Sequence, residues 1–326
     1  MKNKAIKIVL LLLLVVMACT ACAVVMKMSN RTKPANVTLV LKTEVSTAEF
    51  WEITMEGVKQ AAADYQVNLT ITGTSAEKEI DAQIQLMEEV IATKPDVIVL
   101  AASDYDRMTA SVEDAVKAGI QVITMDSDVN TSVRTCYVAS NNREIGRAMG
   151  DLLCDKLPEG GKVAIMAHGN SSTAIERVEG AWNYVKDSGA FELVGIYDCN
   201  DSQTMAYEYA AELLSQHKDL AAIICSNEVC NVGVANYFAE HNVDHVALVG
   251  CDSSVAQIGY LEKGTIQGIV VQQPFNMGYL AIKAAAQLAA GETLPDRIEI
   301  PCVSITKENM YDIENQKLLF PFNGNP

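Results

Sequence analysis

Acids, amides, an arginine and a pair of aromatic rings fall where the apolar runs of this sequence end. Phe50 and Trp51 follow the run 37–42, Asp104 follows 97–101, Asp126 and Ser127 close 121–126, and Asn141 and Asn142 follow 135–140. The second half repeats the habit with His168 and Arg177, Asn200 and Asp201, Asn227 and Glu228, Asp252, and Gln272. Carboxylates accept from neighbouring hydroxyls, a guanidinium fork donates to two oxygens, and amides do both. An aromatic face covers the apolar C–H side of a ring. Together these groups suit a polyhydroxylated ligand. Asp, Asn and Ser also cap helix N-termini for backbone reasons alone, and Asn141, Asp201 and Ser253 are assigned to capping first. Capping does not account for Arg177, Trp51 or Gln272.

Other chemistry is poorly served. The stretch His168-Gly169-Asn170-Ser171-Ser172 sits between a strand and a helix, but it lacks the lysine of a phosphate loop and the Gly-x-Ser-x-Gly spacing of a nucleophile turn. Of nine cysteines, the single Cys-x-x-Cys is Cys19–Cys22, near the N-terminus. Cys136, Cys154, Cys199, Cys225, Cys230, Cys251 and Cys302 are scattered without zinc spacing and read as small buried apolar residues. No enzyme activity, metal or cofactor is expected.

The elements that must hold these side chains alternate strand and helix from residue 37 onward. Expected strands are 37–42, 68–74, 97–101, 121–126 and 135–140, then 162–167, 192–199, 221–227 and 246–252. Helices are expected at 48–65, 77–93, 105–118, 142–156, 174–188, 202–217, 228–240 and 275–290, with a last extended segment at 297–306. In the helix 48–65, Trp51, Met55, Val58, Ala62 and Tyr65 share one face. Continuous apolar strands separated by helices predict doubly wound parallel sheets covered on both faces. Two such sets in succession predict two lobes. The stretch 247–274 carries the densest signal. Its two apolar runs end on Asp252 and on Gln272-Gln273-Pro274, and the C-terminal edge of an open parallel sheet is where ligands bind. Pro274 ends the second run and turns the chain.

The whole chain has 326 residues, 49% of them hydrophobic, and a formal charge of −16. That length allows two ordinary domains. That charge repels phosphate backbones, so nucleic acid is not an expected partner. Residues 1–28 read as a targeting segment, with Lys2, Lys4 and Lys7 ahead of the apolar run 8–26. Cys19 or Cys22, each after an alanine, is a lipidation candidate, although Val16 or Cys19 stands where a lipobox has leucine. At about 1.5 Å per residue the same run spans roughly 28 Å, enough for an uncleaved anchor. Lys27, Arg31 and Lys33 on its far side count against the anchor. Either reading tethers the folded part to the outer face of a membrane. Residues 29–36 form a linker.

Seven segments in order resemble the ribose/galactose-type periplasmic sugar-binding proteins of bacterial ABC importers. They are Phe50-Trp51, VITMD at 122–126, VASNN at 138–142, RVEG at 177–180, ICSNE at 224–228, LVGCD at 248–252 and VQQP at 271–274. The resemblance spans 37 to about 306 and implies the type I fold shared with lactose-repressor-like effector domains. It implies a first lobe of 37–140 plus 273–302 and a second of 141–272 plus 303–320, joined by a three-crossing hinge. Carried over by position, its ligand contacts fall on Phe50, Trp51, Asp126, Asn142, Arg177, Asn227, Asp252 and Gln272. It implies a monomer that hands a sugar to an ABC permease, or alternatively one that presents it to a membrane histidine kinase or chemoreceptor. A repressor is not expected, because the N-terminus holds a targeting segment and no helix-turn-helix. The family's ribose binders have Arg where this chain has Ser127, an amide where it has Ala101, and an aromatic near Asn200. These departures predict a roomier pocket with fewer donors, suited to a hexose or modified sugar better than to ribose.

Overall fold

Strands rich in Val, Ile, Leu and Ala need cover on both faces, and the chain arranges them in two six-stranded sheets. The computed structural model describes residues 34–44 and 49–320. In chain order β1 (Asn36–Leu41), α1 (Glu49–Asp64), β2 (Asn68–Gly73), α2 (Ile80–Thr93), β3 (Val97–Leu100), α3 (Thr109–Lys117), β4 (Gln121–Met125) and β5 (Cys136–Ser140) build the first unit. The second consists of α4 (Asn142–Lys156), β6 (Gly161–Ala167), α5 (Ser172–Asp187), β7 (Phe191–Asp198), α6 (Gln203–Gln216), β8 (Leu220–Cys225), α7 (Glu228–His241), β9 (Ala247–Cys251), α8 (Val255–Lys263) and β10 (Gly268–Val271). The chain then returns through α9 (Pro274–Ala289), β11 (Arg297–Ile300), β12 (Val303–Ile305) and α10 (Ile313–Leu319).

The first sheet runs β11-β5-β4-β3-β1-β2 and the second β12-β10-β9-β8-β6-β7. All pairings are parallel except β12 against β10. The chain therefore passes between the sheets after β5, after β10 and between β11 and β12. Val37, Leu39 and Leu41 pack under α1 and α9, while Val40 faces the other way with Met87 of α2 and Val112 of α3. The second sheet divides likewise. Ile165 and Val249 pack with α4 and α5, and Met166 and Leu248 with α6 and α7. The result is two doubly wound α/β lobes, each with a core on both faces of its sheet.

Local chemistry moved several boundaries from their expected places. The helix expected from residue 77 starts at Ile80, because Glu79 turns back to take the Ser75 N–H and hydroxyl. The helix expected from 105 starts at Thr109, because Asp104 Oδ1 accepts from the N–H groups of Asp106 and Arg107 in a turn. Asn141 does cap α4. However, Ser202 and not Asp201 caps α6, and Ser254 and not Ser253 caps α8. The buried face of α1 is Trp51, Thr54, Gly57, Val58 and Ala61, with Tyr65 exposed. Small residues face inward there because α9 lies so close that a Cβ on Gly57 would sit 2.0 Å from the Phe275 carbonyl oxygen.

Candidate functional site

Both sheets point their C-terminal edges at the same gap. From the first lobe, the residue after β1 contributes Lys42, the start of α1 Phe50 and Trp51, the loop before α2 Glu77, and the end of β4 Asp126. From the second come His168 after β6, Thr173 and Arg177 on α5, Asp201 after β7, Asn227 to Val229 at the head of α7, Asp252 after β9 and Gln272 after β10. The cavity they enclose holds about 400 Å³ of empty space, its mouth included. The lobes touch at its rim. Tyr105 N–H donates to Asn170 O (3.0 Å), Asp128 N–H to Ser172 Oγ (2.7 Å), and Val255 N–H to Glu49 Oε1 (3.1 Å).

The first-lobe wall is an ion-pair cluster. Lys42 is 3% exposed, with its Nζ 2.8 Å from Asp126 Oδ2 and 3.9 Å from Glu77 Oε2. Glu77 Oε1 accepts from Trp51 Nε1 at 2.7 Å, and Ser127 Oγ donates to Asp126 Oδ2 at 2.9 Å. Burial works against the charge on Lys42, but Asp126 and Glu77 more than offset it and raise its pKa. Burial pushes Glu77 up despite Lys42.

The second-lobe carboxylates are held by neutral donors. Asp252 Oδ1 accepts from Gln272 Nε2 (2.7 Å) and Oδ2 from the Glu228 N–H (3.0 Å). Asn227 Oδ1 caps α7, accepting from the Cys230 N–H, while its Nδ2 donates to Asp201 Oδ1 (both 3.0 Å). Burial raises Asp201. Burial, then the nearby Asp252 and Glu49, push Glu228 up to about 8. His168 holds Ser226 Oγ at 2.8 Å and Thr173 Oγ1 at 3.3 Å through its two ring nitrogens. Burial, Arg177 and Lys42 depress its pKa well below the ordinary histidine value, so the ring is neutral. Arg177 donates through Nε to Asn142 Oδ1 (3.0 Å) and through Nη1 to Ser226 O (2.9 Å), and neither bond uses Nη2. The backbone helps to place it, since a Cβ on Gly146 of α4 would lie 2.2 Å from the Arg177 carbonyl oxygen. Only glycine lets α4 come that close.

Of the residues singled out in the sequence, Phe50, Trp51, Asp126, Arg177, Asn227, Asp252 and Gln272 line this one cavity. Asn142 stands behind it, gripping Arg177 and donating to Tyr137 OH at 3.3 Å. Asp104 lies at the rim, where its Oδ2 accepts from Asn170 Nδ2 across the lobes (3.3 Å). Asn200 is not in the lining, and its neighbour Asp201 is. The structure corrects the expectation of open space around Ser127 and Ala101. Both are fully buried and outside the lining, and the long cation absent at 127 is supplied by Lys42. The sequence reading missed Lys42 and Glu77. A lysine at the C-terminal end of an otherwise buried parallel strand was the available signal.

Residues 38–293 match the periplasmic binding protein domain. This chain belongs to the periplasmic binding protein family. A D-ribose/D-allose-binding protein of Pseudomonas aeruginosa is 25% identical over 295 residues, covering 86% of this chain and 92% of that protein. A carbohydrate transporter solute-binding protein of Agrobacterium radiobacter, solved in complex with D-arabinose, superposes with a TM-score of 0.85 at 25% identity over 88% of this chain and 99% of the other. A sugar transporter structure from Clostridium phytofermentans is 30% identical, with a TM-score of 0.78 over 84% of this chain and 99% of its own.

Membership of the periplasmic binding protein family places the folded part outside the cytoplasm. Among the described residues no helix is long and apolar enough to cross a membrane. The targeting segment with Cys19 and Cys22 lies outside the described residues. Cys136, Cys154, Cys199, Cys225, Cys230, Cys251 and Cys302 are free thiols, five of them buried. Among the described residues no group of three or more His, Cys, Asp or Glu can hold a metal ion.

Proposed function

We propose that this periplasmic binding protein captures a sugar or related polyol between its lobes and delivers it to an ABC importer. The observation that carries the reading is the cavity itself. Carboxylates, amides and a guanidinium from both sheets converge on one space beside Phe50, with hydrogen-bonding capacity suited to a ring of hydroxyls. The D-ribose/D-allose specificity named for the Pseudomonas relative and the D-arabinose bound by the Agrobacterium neighbour support it. Phe50, Trp51, Asp126, Arg177, Asn227, Asp252 and Gln272 touch the ligand, and Asn142 orients Arg177. The moving units are 37–140 with 273–302 and 141–272 with 303–320, which open and close about the three crossings. The protein acts as a monomer tethered to the outer face of the membrane through residues 1–28, by a lipid on Cys19 or Cys22 or by an uncleaved apolar span. Bound sugar leaves unchanged, since the cleft gathers recognition groups and His168 is held between Ser226 and Thr173.

A thermal-shift screen over pentoses, hexoses, inositols and nucleosides tests the reading, because a ligand that binds only the folded state raises the melting temperature. At least one monosaccharide or cyclitol is expected to raise it, and mass spectrometry should recover that compound intact. No shift with any of them, or steady conversion of one, contradicts the proposal.

A further inference from the structure

The charges around the cavity are unevenly placed. Glu77, Asp126, Asp201, Glu228 and Asp252 line it, against Lys42, Arg177 and a neutral His168. Lys42 is committed to Asp126 and Glu77, and Arg177 to Asn142 and Ser226. The surplus gathers on one side. Sharing Phe50, Glu228, Asp252 and Gln272 with the cavity is an annex of about 260 Å³ of empty space, its open mouth included, lined also by Glu49, Ile53, Ser253, Ser254 and Pro274. Among the described residues its lining brings together three carboxylates, those of Glu49, Glu228 and Asp252, with no lysine, arginine or histidine.

These groups arrive from separate elements. Glu49 opens α1 in the first lobe, Glu228 opens α7, and Asp252 follows β9. Glu228 is 5% exposed and Asp252 7%. A buried carboxylate is costly to keep ionised without a cation bonded to it. Arg177 lends Asp252 some support through space, but the donors that reach these three among the described residues are an amide, backbone N–H groups, a hydroxyl and the Cys251 thiol. An aromatic ring next to carboxylates is also a good surface for an ammonium group. We infer that the ligand of this cleft is an aminated sugar or aminated cyclitol, its ammonium group seated in the annex among Glu49, Glu228 and Asp252 beside Phe50. The inference rests on the sugar-binding reading and narrows it. Arg177 and Lys42, which line the main cavity but not the annex, remain to meet hydroxyl oxygens.

Protonation follows from the same geometry. In the empty protein Glu228 keeps its proton at neutral pH, and an arriving ammonium expels it. Binding of the amine therefore releases a proton and tightens as pH rises from 6 towards 8, as long as the amine itself stays charged.

The test is calorimetry at pH 6.5 on the intact protein with matched pairs: D-glucosamine and D-glucose, D-galactosamine and D-galactose, D-mannosamine and D-mannose, and an amino-inositol with its parent inositol. In pairs that bind, the amine should bind at least tenfold more tightly than the neutral partner and release a proton, read from the buffer dependence of the heat. Glu228→Gln should reduce that ratio to under threefold, and Glu49→Gln, at the cavity rim, should reduce it in the same direction should the first variant fold poorly. Neutral members that bind as tightly as the amines, or a ratio untouched by both variants, overturn this inference and leave sugar binding standing. Absence of binding by every pair overturns this inference, while sugar binding itself falls only if the wider screen with pentoses and nucleosides is also negative.

Discussion

The two lobes place an aspartate at equivalent points and stabilise it by different means. Asp126 follows β4 and Asp252 follows β9, strands that hold the same position in their sheets. Each has a positive φ (63° and 77°), a conformation that side-chain-bearing residues rarely adopt and that is often retained at functional sites. Each donates its N–H at 3.0 Å to the neighbouring strand, Asp126 to Val138 O and Asp252 to Val270 O. There the likeness ends. Asp126 is neutralised by Lys42, whereas Asp252 is held by an amide and a backbone N–H and has Glu228 beside it. The fold thus repeats the backbone device that aims a carboxylate into the cleft and leaves the partner of that carboxylate free to differ. One lobe presents a charge already satisfied. The other presents a charge held by neutral donors, with Arg177 acting on it through space.

The largest effect should come from breaking the first-lobe pair. Lys42→Met leaves Asp126 and Glu77 without their cation and should cost about 3–5 kcal/mol of stability in urea unfolding. Asp252→Asn in the other lobe keeps an acceptor for Gln272 and should cost only about 1–2 kcal/mol. Equal costs would mean that the ion pair holds the wall no better than the amide does.

Next comes the packing behind each wall. A Cβ on Gly57 meets the Phe275 carbonyl at 2.0 Å and one on Gly146 meets the Arg177 carbonyl at 2.2 Å. Gly57→Ala and Gly146→Ala should therefore each destabilise by about 1–3 kcal/mol. For equal destabilisation, Gly146→Ala should weaken ligand binding more, because it displaces the backbone of Arg177. Equal losses of affinity would break the link between that helix crossing and the site.

The smallest effect, taken per pH unit, is the titration of Glu228. Folded Glu228 keeps its proton up to about 8, against an ordinary value of 4.5. Between those values the folded chain binds more protons than the unfolded one, so this group's stabilisation is complete at the acid end and is lost as pH rises through about 8. The slope is at most about 1.4 kcal/mol per pH unit. Urea midpoints of the ligand-free protein at pH 5, 6.5 and 8 should fall in that order, and Glu228→Gln should flatten the fall. An unchanged slope in the variant would show that Glu228 ionises freely.

Much of this was legible in the sequence, for a physical reason. A buried parallel strand has no choice but to be apolar and to end at the cleft edge, so Asp126, Asp252 and Gln272 announce themselves by following such runs. Arg177 stands out because helix capping does not account for a guanidinium there, and once buried it needs partners. Capping was less readable. Asp201 and Ser253 are as suitable for it as their neighbours, and the backbone selected Ser202 and Ser254 instead. Lys42 was marked only by its place at the end of a buried strand, since its value lies in a contact to Asp126, 84 positions further along the chain. The same contact bears on the argument from Ser127 and Ala101: both are buried, and Lys42 puts a cation beside Asp126 where open space was expected. Trp51 also does something that its type did not reveal. It is 5% exposed, packs edge-on against Phe50 (centroids 5.1 Å apart) and ties down Glu77.

The central claim is that one ligand is held from both lobes at once. Titration calorimetry of the strongest compound from the sugar screen, into wild type, Asp126→Ala and Asp252→Ala, tests it most directly. Each substitution alone should weaken binding at least tenfold, since each leaves ligand hydroxyls or an amine without a charged acceptor, a loss of about 1.5–3 kcal/mol. Binding within threefold of wild type in either variant would contradict shared capture and place the ligand outside the cleft between the lobes.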